Sequence, residues 1–128
     1  MKRRTLLDIA AVPGSDNILQ LYEERDHLGI AISGRGELMS TRRHGSEDAL
    51  GRLPCEMLER ADAAVVLIGG LGMGFTLAAA LAATGPESRV VVAELVPEIV
   101  EWNRRWIGEL NGHPLRDERT VVVDGDVQ

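Results

Sequence analysis

Gly69-Gly70-Leu71-Gly72-Met73-Gly74 is the segment of this 128-residue chain with the plainest capacity for chemistry. Glycines crowded at a strand-to-helix junction let the backbone turn tightly and let a ligand approach without meeting a Cβ. A helix opening there presents unpaired N–H groups to a polar or anionic group. Glu94 stands twenty residues after Gly74, at the end of the next apolar run. A carboxylate at that position can accept hydrogen bonds from ribose hydroxyls. A third apolar run leads into Asp124-Gly125-Asp126, where Asp126 could accept a hydrogen bond from an adenine amino group. The order strand, glycine string, helix, strand, acid favours a nucleotide site over a purely structural tight turn.

The glycines at 70, 72 and 74 read GxGxG, not the GxGxxG of a dinucleotide fingerprint. That spacing suits a ligand with no pyrophosphate to wrap, and it disfavours a nicotinamide dinucleotide. The two aspartates have blander readings. They also suit a polar turn leaving a strand. A divalent metal between them is the weaker idea, because no further oxygen ligands stand nearby. No metal is expected.

These residues need a scaffold, and the apolar pattern from residue 63 onward supplies one. Ala64-Val65-Val66-Leu67-Ile68 is a continuous apolar run, as expected of a strand covered on both faces in a parallel sheet. Phe75 to Ala83 reads as a helix stopped by Gly85-Pro86. Val90-Val91-Val92-Ala93 is a second buried strand. Pro97 suits the first turn of the next helix, whose stripe Val96, Ile99, Val100, Trp102, Trp106, Ile107 and Leu110 fits a helix lying on a sheet. Asn111-Gly112 closes it, and Thr120-Val121-Val122-Val123 is a third strand. The expected fold class is α/β, the first three strands of a Rossmann-like parallel sheet with right-handed crossovers.

The first part of the chain follows a different pattern. Leu6–Ile9, Ile18–Tyr22, Gly29–Ile32 and Glu37–Ser40 are candidate strands of a small antiparallel region, punctuated by Pro13-Gly14 and Ser33-Gly34-Arg35-Gly36. Ser46 offers an N-cap with Glu47 and Asp48 behind it, and Leu50, Leu53, Met57 and Leu58 follow at helical spacing. Pro54 should kink that helix or open a second one. The expected organisation is an antiparallel β region over 1–45, a helical connection over 46–62 and a partial nucleotide-binding domain over 63–128.

Bulk properties narrow the function. The net charge of −6 argues against general nucleic-acid binding. Lys2-Arg3-Arg4 and Arg42-Arg43 are the short basic clusters, read as solvated charges. No apolar run approaches membrane-spanning length, and the interrupted N-terminus does not make a signal peptide. The single Cys55 cannot form an internal disulfide and fits a cytoplasmic setting, as a small buried apolar residue. His27, His44 and His113 lack metal-ligand spacing and are expected at the surface or in turns. Trp102 and Trp106 are expected against the sheet. Glu56 reads equally as a helix-surface charge and as a group near the pocket.

Half of the chain, from about Val65 to Val127, resembles the spermidine synthase family within the class I S-adenosylmethionine-dependent methyltransferases. Val66-Leu67-Ile68-Gly69-Gly70 is similar to the family's glycine strand. Glu94, in Ala93-Glu94-Leu95-Val96, is similar to its ribose-binding glutamate, and Gly125-Asp126 to its adenine-contacting pair. Cys55-Glu56-Met57-Leu58 is similar to its His-Glu-Met-Leu stretch. Leu71-Gly72-Met73 departs from the family's glycine-aspartate-glycine, and Pro54-Cys55 from its Tyr-His.

The resemblance implies a site for S-adenosylmethionine, decarboxylated S-adenosylmethionine or methylthioadenosine. Gly69, Gly70, Gly72, Gly74, Glu94, Leu95, Asp126 and Val127 would form it. It implies a transferase activity on an amine such as a polyamine, with the catalytic aspartate expected beyond Gln128. A methyltransferase is the alternative within the same class. A non-catalytic binding or assembly module, as a homo-oligomer, is the alternative outside it, because an unpaired buried-type strand invites association.

Overall fold

Strand-forming residues separated by Pro13-Gly14, Arg25-Asp26 and Ser33-Gly34 make the first forty residues a meander. Its strands are β1 (Arg4–Ala11), β2 (Ile18–Glu24), β3 (His27–Ile32) and β4 (Gly36–Ser40), antiparallel in the order β1-β2-β3-β4. The computed structural model describes residues 4–59 and 61–125. The chain divides into two units, Met1–Arg43 and His44–Gln128.

In the first unit the register places Arg4 opposite Glu24 and Glu24 opposite His27. A polar row therefore crosses one end of the sheet, since directly opposed residues share a face. Tyr22 lies across Gly29, where any Cβ would collide with the phenol ring. Leu21 and Ile30 are fully buried.

The second unit is a three-stranded parallel sheet in the order β5-β6-β7: β5 (Val65–Gly69), β6 (Arg89–Glu94) and β7 (Thr120–Asp124). The crossover α2 (Phe75–Ala82) joins the first pair. A longer helical rod joins the second, consisting of α3 (Pro97–Trp102), a π-helical turn (Asn103–Ile107) and α4 (Gly108–Asn111). The chain is thus an α/β protein, a small antiparallel sheet followed by a Rossmann-like parallel sheet flanked by helices. Arg119 ties the strands to α2 by donating to the carbonyls of Leu81 (3.0 Å), Thr84 (2.9 Å) and Gly85 (3.2 Å). These carbonyls lie at and just beyond the C-terminal end of α2, where intrahelical donors run out.

Alternation along the strands separates two faces. Ile68, Val90 and Val92 are buried, whereas Val65 is 79% and Leu67 61% exposed, with Val121 and Val123 exposed beside them. The apolar run of β5 led to the expectation of cover on both faces. Among the described residues only one face is covered.

Two expectations about the first helix, α1 (Gly45–Glu56), are corrected. The residue at its N-cap is His44, not Ser46. His44 Nδ1 lies 2.8 Å from Asp48 Oδ2, and the imidazole stacks on Phe75 with ring centroids 3.7 Å apart. Pro54 neither divides the helix nor opens a second one. It sits in the last turn of a single helix, where only one intrahelical bond is lost. The buried face is also the unexpected one. Gly51 and Cys55 turn inward while Leu50, Leu53, Met57 and Leu58 are exposed. Gly51 approaches the α2 backbone so closely that a Cβ would strike the Thr76 carbonyl oxygen. Close helix contact, rather than large side chains, selects this face. Among the described residues no helix is long and apolar enough to cross a membrane.

Candidate functional site

The loop between β5 and α2 alternates in hand. Gly70 (φ 106°), Gly72 (φ 54°) and Gly74 (φ 77°) have left-handed backbone, which side-chain-bearing residues adopt only with strain. Leu71 and Met73, between them, are buried. The GxGxG spacing therefore has a structural meaning: every second residue turns the chain and the intervening ones anchor it. At Gly70 an added Cβ would meet nothing within 4 Å, and Gly69 and Gly70 are exposed. This part of the loop is a bare backbone surface open to a ligand.

Glu94 ends β6 and turns its carboxylate back under the loop. Its Oε1 accepts from the backbone N–H of Leu71 (2.8 Å) and, at longer range, of Gly72 (3.4 Å), and its Oε2 from that of Val96 (3.0 Å). The side chain is buried. A side-chain acceptor held by several backbone donors is a strong arrangement. Two further loop donors are also occupied, Gly70 N–H by the Ala93 carbonyl (2.7 Å) and Gly74 N–H by the Leu71 carbonyl (2.9 Å). The sequence-based expectation was of a loop presenting free N–H groups. Instead the N–H groups of residues 70, 71, 72 and 74 are satisfied internally. No side chain caps the first turn of α2.

The loop carbonyls are held by two residues expected to have no part in the site, Asn103 and the helix-closing Asn111. Asn103 Nδ2 donates to the Gly72 carbonyl (2.8 Å) and Asn111 Nδ2 to the Met73 carbonyl (2.7 Å). Asn103 is buried and opens the π-helical turn, a local widening often found at functional positions. A Cβ on Gly74 would stand 2.5 Å from Asn111 Nδ2 and 2.8 Å from Asn103 Oδ1. Third-position glycine is therefore required twice, by backbone hand and by space.

At the same rim Gly125 N–H donates to the Glu94 carbonyl (3.0 Å), and Asp124 pairs in register with Glu94. Leu95 follows on the rim, partly exposed. Asp126 and Val127 lie outside the described residues. Among the described residues no cluster of His, Cys, Asp and Glu could hold a metal ion.

The remaining candidates divide clearly. Glu56 is an exposed helix charge paired with Arg52 at 3.4 Å. Cys55 is buried, which pushes its thiol pKa up and makes it unreactive. Trp102 is fully buried, while Trp106 is half-buried and carries the Arg105 guanidinium 4.5 Å above its ring. His27 contradicts the expectation of a surface histidine, being buried in the first unit.

A glycine loop clamped by a buried acid at the carboxyl rim of a parallel sheet is a Rossmann-like arrangement. No family model and no curated protein matches the sequence. Solved structures do match. A spermidine synthase in complex with the transition state analogue AdoDATO superposes with a TM-score of 0.72 at 16% identity, over 95% of this chain and 41% of that one. The spermidine synthase from Thermotoga maritima gives 0.72 at 16%, over 95% and 42%. A probable spermidine synthase from Corynebacterium glutamicum gives 0.57 at 17%, over 94% and 46%. The chain thus has the fold of these enzymes and spans about two fifths of their length.

Proposed function

We propose that the chain is the nucleoside-binding portion of a spermidine synthase-like aminopropyl transferase, using decarboxylated S-adenosylmethionine as substrate. The observation that carries this reading is the internally satisfied glycine loop. A pyrophosphate is gripped by free backbone N–H groups, and four of the loop's are already spent. What the loop offers is a smooth, Cβ-free surface at Gly69 and Gly70, suited to a nucleoside whose tail carries no phosphate. The shared fold adds support.

In this reading Glu94 has two roles. A carboxylate has about four acceptor sites. With three N–H groups bound, capacity remains for a ribose hydroxyl while the loop stays clamped. Leu95 and Val127 would flank the adenine, and Asp126 would accept from its amino group. In the whole enzyme an amine attacks the methylene next to the sulfonium and methylthioadenosine leaves. The amine's proton would pass to a carboxylate acting as general base. Rate enhancement would come mainly from orienting the two reactants. A cytoplasmic setting fits the single buried thiol.

Calorimetric titration with decarboxylated and intact S-adenosylmethionine tests this. Preference for the decarboxylated form is expected. Equal or tighter binding of the intact form would instead indicate a methyltransferase. The uncovered sheet face at Val65 and Leu67 favours a second reading, an assembly module that covers this face by self-association. Light scattering decides it: a monomer at high concentration removes that reading.

A further inference from the structure

The first unit carries a charged groove of about 500 Å³ that the nucleoside reading does not use. Its floor is the polar row at one end of the antiparallel sheet. Glu24 is buried there, 3.4 Å from the Arg4 guanidinium and 3.8 Å from His27 Nε2. Glu37 accepts a 2.5 Å hydrogen bond from the Tyr22 hydroxyl. Both carboxylates lining the groove are therefore engaged.

The cations are not balanced in the same way. Arg42 and Arg43 line the groove and are exposed. Among the described residues neither has a carboxylate partner. A tight turn sets them side by side: Arg42 N–H donates to Ser40 Oγ (3.0 Å) and Arg43 N–H to the Ser40 carbonyl (3.4 Å). Ser40 itself is buried, so the turn is anchored rather than loose. His27 also lines the groove; it is 93% buried by its 7% relative exposure, and its Nδ1 has no hydrogen-bond partner among the described residues. A buried polar atom left bare is costly and uncommon in folded proteins.

Two arginines without a carboxylate partner among the described residues line the same groove as a buried imidazole, and with the local acids already satisfied their chemical complement is an anion. We propose that this groove binds a compact oxyanion, a phosphate or dicarboxylate group, gripped by Arg42 and Arg43. Guanidinium forks match the planar oxygen pairs of both groups. The residues lining the site all belong to the first unit, whereas the glycine loop belongs to the second. With the chain's net charge at −6, long-range attraction of anions is weak, so binding would rest on local geometry and weaken with added salt.

The test is titration of the full chain with inorganic phosphate and, separately, with malonate, against chloride at matched ionic strength. Binding is followed by calorimetry and by the His27 ring signals in NMR spectra. Saturable binding of at least one anion with movement of the His27 resonances is expected, and the tighter of the two identifies the source chemistry. Arg42→Ala/Arg43→Ala should weaken it about tenfold or more. Arg35→Ala, which removes one of the chain's positive charges at the exposed β3–β4 turn outside the groove, should leave it unchanged. Both arginines are exposed, so folding of the double variant is expected and is checked by circular dichroism. Absence of saturable binding by either anion, or equal affinity in the double variant, overturns the proposal. Titration of the double variant with methylthioadenosine is expected to match that of the unaltered chain, which tells failure of this site from failure of the nucleoside reading.

Discussion

Two glutamates of this chain are buried to nearly the same degree, Glu94 in the parallel unit and Glu24 in the antiparallel one, and they are held in opposite ways. Glu94 is surrounded by backbone N–H groups that cannot move without unfolding the loop. Glu24 faces side chains, a half-exposed Arg4 and a buried His27, which can reorient. A backbone-held acid builds structure into a site, whereas a side-chain-held acid leaves a site adjustable. The same residue type at the same burial thus has different consequences.

The largest expected difference comes from deleting each acid. Glu94→Ala leaves three backbone donors without their acceptor. Stranded buried donors cost roughly 1–3 kcal/mol each, and partial relaxation of the loop should bring the total to about 3 kcal/mol. Glu24→Ala should cost about 1 kcal/mol, because Arg4 can turn to water. Urea unfolding measures both. Equal losses would erase the distinction.

Gly74→Ala is next. It combines left-handed backbone with a collision against Asn103 and Asn111, for roughly 1–3 kcal/mol from strain plus displacement of the two amides. Gly14→Ala has the same backbone hand, φ 75°, but open space, and should cost only about 1 kcal/mol. A larger loss at Gly14 than at Gly74 would show that the asparagine tethers are slack.

The smallest effect is a pH dependence confined to the antiparallel unit. The Tyr22 hydroxyl is pushed up to about 12, first by burial and then by its hydrogen bond to Glu37 and that residue's charge. The folded chain therefore holds this proton more tightly than the unfolded one. The contribution is complete below the ordinary tyrosine value of 10.0 and is lost as pH rises through about 12. Tyr22→Phe should flatten that part of the stability profile, measured by unfolding on both sides of the window. An unchanged profile would assign the alkaline loss elsewhere.

The same contrast separates what could be read from residue order. The parallel unit was legible because a strand of a parallel sheet announces itself as an apolar run such as Val65–Ile68, even though only one face of that strand is covered among the described residues, and because left-handed turns demand glycines at 70, 72 and 74. The position of Glu94 at a strand end was equally visible. Its actual partners were not, since the eye places a ligand where the fold first places backbone. Asn103 and Asn111 reach carbonyls 31 and 38 residues away, and no local pattern signals such a contact. Helix α1 misled through its own periodicity. Leu50, Leu53 and Met57 mark a convincing apolar stripe, yet the space beside α2 admits only Gly51 and Cys55. His27 was misjudged because its burial depends on register across β2 and β3, which no single strand encodes.

The proposed function has the loop beside Glu94 receive a nucleoside in preference to a pyrophosphate. Parallel calorimetric titrations with methylthioadenosine and with a nicotinamide dinucleotide test it directly. Methylthioadenosine should bind at least about tenfold more tightly, and Glu94→Ala should abolish the difference. Tighter binding of the dinucleotide would mean that the loop donors are freely available, contradicting the account at its root.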